Sequence, residues 1–270
     1  MSVLICIKIF VAMVMVVMLS IVAEKISPRI SGIIAGYPLG VAITLFFYGL
    51  EINPDFASES AFYTLLGLIA SQSFVYTYYK ASQIFIQFSV LTSSAFSIFG
   101  YLFISNLLRL FNFTKPSIIA LTIISLIFFI FLFRGIENVK IHKTISLNNK
   151  VIFLRAGLAA FIVILITSVA KLVGVKWAGL FSAFPITLFP LILIVHISYD
   201  KKHVHTIIKN FPMGLGSLIV YSLCVYKIYP IWGIYIGTAV SLMMSTLYLL
   251  GLFIAIGMVK KYKKVYQYTK

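Results

Sequence analysis

Acidic residues are scarce in this chain: 6 Asp and Glu stand against 22 Lys and Arg in 270 residues. None falls in the middle of an apolar run; Glu24, Glu51, Asp55, Glu59, Glu137 and Asp200 sit at run ends or in connectors. A proton-driven exporter of cations needs a buried carboxylate to bind proton and substrate in turn, so the sequence speaks against that class. Cysteine is scarce too. Cys6 and Cys224 both lie inside apolar runs, which excludes a disulfide framework or a metal knuckle. Phosphate-binding Gly-rich loops, dinucleotide fingerprints, nucleophile elbows and HExxH are all missing, so no cofactor and no metal is expected.

Charge of either sign is low, at 10% of residues, where a soluble domain carries about 25%. The chain is instead 61% hydrophobic, with a mean hydropathy of +1.08. Nine apolar stretches fill it, near 2–23, 31–50, 59–79, 82–109, 116–134, 151–171, 178–198, 206–226 and 231–259. Each has about the 20 residues that a membrane crossing needs. The expected fold class is therefore all-α, a polytopic membrane helix bundle with nine transmembrane helices. The first stretch lacks a basic n-region and a small-residue cleavage site, and reads as a retained helix.

With nine crossings, alternate connectors share a face. One face collects 16 of the 22 basic residues, including Lys201, Lys202, Lys209 and the tail Lys260–Lys264. The positive-inside rule then predicts a multi-pass protein of the cell (inner) membrane, N-terminus outside and C-terminus cytoplasmic. The net charge of +16 is a topology signal, and membrane lipid rather than nucleic acid is the expected partner.

The two halves correspond at a constant spacing of 147 residues. Lys8 answers to Arg155, Gly32 to Gly179, Tyr37-Pro38 to Phe184-Pro185, Gly67 to Gly214 and Tyr101 to Tyr248. The fifth stretch has no counterpart, so the copies are five crossings apart. An odd offset inverts the second copy relative to the first, giving a 4+1+4 arrangement. The expected units are 1–110 for the first repeat and 111–150 for the linker helix and cytoplasmic connector. The inverted repeat at 151–259 and the basic tail at 260–270 complete the chain.

The informative segments are Ser31 to Gly40 and Ala178 to Thr187. Small residues recur every fourth position, Gly32, Gly36 and Gly40 in one and Gly179, Ala183 and Thr187 in the other, which lets backbones approach closely. Pro38 and Pro185 break the helices and are expected to free the carbonyls of Ile34 and Phe181. Matching breaks in two halves point to a transporter's binding site. The same features also suit a kinked, closely packed helix pair with no ligand. Gly36, Tyr37, Pro38, Gly40, Ala183, Phe184, Pro185 and Thr187 are thus the candidate gate and substrate-binding residues. Gln72 and Gln87, costly amides inside spans, join them, and Ser217 is among the hydroxyls placed deep. Lys8, Lys25, Arg155 and Lys171 are candidate entrance charges, although snorkelling explains such residues as well.

The run Ala178-Gly179-Leu180, then Phe184-Pro185 and His196, resembles the second helix of small four-helix bacterial inner-membrane proteins called GlpM-like. The similarity covers about residues 151–258 and is fainter over 1–110, where Tyr37 replaces the Phe and Gly49 the His. The resemblance implies two such units fused through a linker helix, and an architecture rather than a reaction. The expected function is a secondary transporter or flippase for a neutral, anionic or lipid-linked small molecule, not an enzyme. Two rival readings stay open: an intramembrane enzyme acting on lipid headgroups through His196, Asp200, His203 and His205, or a structural subunit packing through its glycine faces. A homo-oligomer is compatible with all three.

Overall fold

A computed structural model of the chain describes residues 27–139 and 149–268, with residues 6, 7, 9–11, 13 and 14 of the first stretch. Lys8, Lys25 and the side chains of Arg155 and Lys171, as well as those of the basic tail, lie outside the described residues.

Regular structure among the described residues is entirely helical. We number the helices α1 Pro28–Ala35, α2 Leu39–Glu51, α3 Pro54–Ile84, α4 Ser89–Leu110, α5 Lys115–Leu132, α6 Asn149–Ser182, α7 Leu188–Ser198 and α8 Lys201–Tyr268. Their starts are written locally. Ser27 accepts from the Ile30 amide at 3.3 Å ahead of Pro28, and Asn53 accepts from the Phe56 amide at 2.7 Å ahead of Pro54. A side-chain acceptor followed by proline satisfies the orphan donors of a first turn. The two longest helices bend where Gly174 (φ 77) and Gly233 (φ 71) take a backbone that residues with a Cβ adopt only under strain.

Among the described residues, four stretches are long and apolar enough to cross a membrane: Pro28–Glu51, Ser89–Leu110, Lys115–Leu132 and Lys201–Met258. Ala156–Ala170, Leu172–Ser182 and Leu188–Ser198 are apolar but shorter. The nine expected spans are therefore met in part: the first lies mostly outside the described residues, the eighth and ninth run on as one helix, and two others differ for physical reasons. The seventh stretch is cut by its own break. The third, α3, is long but rich in hydroxyls and amides, with Ser60, Thr64, Ser71, Gln72 and Ser82 all buried. It sits at the centre, packed by α2, α4, α5, α6 and α8, so its solvent is protein.

The peripheral helices show the reverse pattern. In α4 the buried positions are mostly small, Ser93, Ser97, Gly100 and Ser105 beside Tyr101 and Leu108, while Phe99, Leu102 and Phe103 are exposed. In α5 Ile124, Phe128 and Phe131 face outward. Small residues inside and large apolar ones outside is the arrangement that lipid solvation favours, and it fits a membrane location.

Connectors that the sequence assigns to one face also meet in space. At one end Lys115 bridges Glu59 at 3.5 Å and donates to the Tyr226 hydroxyl, and Lys176 donates at 2.8 Å to the carbonyls of Arg109 and Phe111. At the other end Tyr78 hydrogen-bonds His196 at 2.9 Å and Lys209 donates to the Ile136 carbonyl. Helix boundaries repeat at the 147-residue spacing. α1 and α6 end at Ala35 and Ser182, α2 and α7 end at Glu51 and Ser198, and α3 and α8 start at Pro54 and Lys201.

Candidate functional site

Both proline segments interrupt their helices, and they do so with the same backbone bonds. Tyr37 N donates to Ile34 O at 2.9 Å and Phe184 N to Phe181 O at 3.0 Å; Leu39 N donates to Tyr37 O at 2.8 Å and Ile186 N to Phe184 O at 2.7 Å. The helix then restarts as Ala42 N reaches Pro38 O and Phe189 N reaches Pro185 O, at 2.7 and 2.8 Å. This corrects one expectation. The carbonyls of Ile34 and Phe181 are taken by the tight turns themselves. The carbonyls met by side chains lie one or two residues further on. Thr187 donates to Ala35 O at 3.3 Å, Ser217 to Gly36 O at 3.2 Å, and Ser71 to Ala183 O. Hydroxyls thus supply what proline removed, as a water-poor interior requires.

Glycine seams place these breaks. A Cβ on Gly36 would come within 2.6 Å of the Gly214 carbonyl carbon, and one on Gly214 would strike the Ile33 carbonyl oxygen. In the matching seam a Cβ on Gly67 would come within 2.5 Å of the Ala183 Cβ, and one on Gly179 would strike the Ser60 carbonyl oxygen. Gly32 meets Ile207 O just as Gly179 meets Ser60 O, each partner again 147 residues apart. So α1 lies on α8 and the end of α6 lies on α3: each first half-helix is fastened to the long helix of the other repeat. The breaks then touch each other, since a Cβ on Gly40 would sit 3.1 Å from the Ile186 Cβ.

Between the breaks lies a cavity of about 20 Å³, enough for a single water. Tyr37, Gly40, Ala183, Phe184, Pro185 and Thr187, all anticipated from sequence, line it. Gly36 and Pro38 are buried nearby, and Gly36 faces Gly214 rather than the cavity. Phe211, Leu215 and Leu218 of α8 line it as well, and so does Ser71, which was not anticipated. Its signal was present, because Ser71 follows Gly67 by one helical turn and so shares the glycine face.

The two glutamines go elsewhere. Gln72 points away from the breaks and donates to Ser125 Oγ at 2.7 Å, tying α5 to α3. Gln87 is exposed in the turn between α3 and α4, not inside a span, because the chain leaves the helix at Phe85 and re-enters through Phe88 in the left-handed region (φ 54). An aromatic wall backs the second break: the Phe184 ring lies 5.6 Å from Phe74 and 5.0 Å from Tyr101, both edge-on. The Tyr101 hydroxyl donates to Leu180 O and that of Tyr48 to Ala178 O at 3.1 Å, pinning the half-helix before the break. Two of the histidines are struts with separate partners. His196 meets Tyr78, and His205 meets Ser82 at 2.8 Å.

Comparison with known protein families, with curated proteins and with solved structures gives no match to this chain.

Proposed function

We propose that the chain is a multi-pass membrane protein of two inverted four-helix, GlpM-like units around a linker helix, working as a secondary transporter or flippase. The cargo is a neutral, anionic or lipid-linked small molecule, and the N-terminus lies outside and the C-terminus in the cytoplasm. The observation that carries this reading is the contact of two matching helix breaks at the centre of the bundle. Interrupted helices meeting midway between the two ends are where membrane transporters hold their cargo.

The packing suggests which parts move. One body is α1 with the first half of α8 and α7, joined by the Gly36–Gly214 seam and the Thr187–Ala35 bond. The other is α2 with α3 and the end of α6, joined by the Gly67–Ala183 seam and the Ser71–Ala183 bond. Both breaks bridge these bodies, as do the Tyr78–His196, Ser82–His205 and Ser58–Tyr226 hydrogen bonds at the two ends of α3, so a rocking motion would be absorbed at Gly36–Pro38 and Ala183–Thr187 with those end bonds exchanged. The moving bodies are then not the sequence repeats but exchanged halves of them. Separating them opens the one-water cavity toward one face or the other.

The test uses single thiols at the cavity, Ser71→Cys and, separately, Leu218→Cys, in a chain whose Cys6 and Cys224 are replaced by Ser. A membrane-impermeant maleimide is applied to sealed vesicles of each orientation. Alternating access gives labelling from both sides. Labelling of both variants from one side only, or from neither, overturns it.

A further inference from the structure

A second space adjoins the breaks. Between α4 and α6 runs a groove of about 410 Å³, within the range of about 300–1,000 Å³ typical of small-molecule sites. Ile98, Leu102, Phe161, Leu165, Phe184 and Phe189 are among its walls. Its one hydroxyl, that of Tyr101, is turned away to the Leu180 carbonyl. Its lips are exposed apolar side chains, Phe161 at 62% and Leu102 at 47%. On the membrane reading the groove therefore opens sideways into the hydrocarbon layer, not into water. Walls of Leu, Ile and Phe offer water no partners and stay dry. A hydrocarbon chain, which has no polar group to satisfy, suits such walls.

Two further facts connect the groove to the site. Phe184 lines both the groove and the cavity between the breaks, and is the partition between them. The other half is built differently at the matching positions. There Tyr37 stands for Phe184 and Thr246 for Phe99, and the Tyr37 hydroxyl is bonded to Thr246 at 2.7 Å. The first break is thus tied to its neighbouring helix by a polar latch. Phe184, with Phe99 in place of a hydroxyl, has none.

Resting on the transporter reading, we propose that this groove receives the hydrocarbon chain of a membrane lipid, and that Phe184 is the gate between it and the central cavity. The cargo is then an amphiphile. Its polar head passes between the breaks, against the hydroxyls of Ser71, Thr187 and Tyr37, while its chain stays in the groove and the bilayer. A water-soluble anion would have no use for the groove.

The full chain is reconstituted in vesicles of phosphatidylethanolamine and phosphatidylglycerol carrying a diazirine on the acyl chain. The vesicles are irradiated, and lipid adducts are mapped by peptide mass spectrometry. The expected result is adducts on Phe184 and on Phe189, which is only 7% exposed, as well as on the lips. Leu165→Trp, which fills the groove, lowers the Phe184 and Phe189 adducts about tenfold, the change that about 1.4 kcal/mol of binding gives. Adducts on Phe128 of α5 stay unchanged. Adducts confined to the lips and to α5 in the unsubstituted chain overturn the proposal, and so do Phe184 and Phe189 adducts that Leu165→Trp leaves unchanged. Either failure leaves the thiol-labelling result, and with it the transporter reading, where it stood.

Discussion

Gly36 and Gly214 lie backbone to backbone, with space for hydrogen and nothing larger between them. The contact fastens the first broken helix to the long helix of the opposite repeat. Neither glycine has an unusual backbone conformation; Gly36 has φ −82. The requirement for glycine is purely one of space, so Gly214→Ala forces the seam apart. Its expected cost is about 1–3 kcal/mol, the usual price of overpacking. Gly251→Ala is the control, since a Cβ there meets nothing within 4 Å and helix propensity favours Ala by about 1 kcal/mol. Thermal unfolding in detergent should show Gly214→Ala melting well below the parent and Gly251→Ala level with it or above.

Ser71→Ala and Ser217→Ala each strip a hydroxyl from a carbonyl left over at a break, Ala183 O and Gly36 O respectively. An orphaned buried acceptor costs about 1–3 kcal/mol. Both variants should lose stability by that measure in the same assay, whereas Ser94→Ala, whose hydroxyl returns to its own helix at Val90 O, should not.

Gln72 binds the linker helix through Ser125. Gln72→Leu alone leaves the Ser125 hydroxyl without that donor, while pairing it with Ser125→Ala removes both ends of the bond. A double-mutant cycle read by denaturation should give a coupling of about 0.5–1.5 kcal/mol. A cargo-binding role for Gln72 would instead show no coupling to Ser125.

Gly40 opens one of the bodies that are proposed to rock, and Ile186 lies in the hinge that leads to the other. Their Cβ separation of 3.1 Å is slightly below the 3.5–4.5 Å that a disulfide spans. Gly40→Cys with Ile186→Cys, in the background lacking Cys6 and Cys224, should oxidise readily. Once oxidised it should abolish maleimide labelling at Ser71→Cys, and reducing agent should restore it. Labelling that is indifferent to the disulfide would mean that the breaks do not move apart.

Much of this arrangement was legible in the sequence. The 147-residue register, the proline breaks and the four-residue glycine spacing anticipated the two helix breaks and, of the cavity lining, Tyr37, Gly40, Ala183, Phe184, Pro185 and Thr187. Three things were not legible, each for a stated reason. The partner of a glycine face is a tertiary fact, so nothing local showed that Gly36 meets Gly214 rather than the cavity. The carbonyl four residues before a proline is free only if the helix continues, and here both chains turn tightly and reclaim Ile34 O and Phe181 O. Hydropathy alone treats Gln72 and Gln87 as equally buried, although one braces α5 and the other lies in a turn.

The inverted relationship of the repeats is tested most directly by Asp55 and Lys202. Both are exposed, each lies in the first turn of a long helix, and they stand 147 residues apart. Asp55→Cys and Lys202→Cys, each introduced singly into the background without native cysteines, are probed with an impermeant thiol reagent in intact cells and in inverted vesicles. The expected result is that Asp55→Cys reacts only from outside and Lys202→Cys only from the cytoplasmic side. Reaction of both from the same side would contradict it.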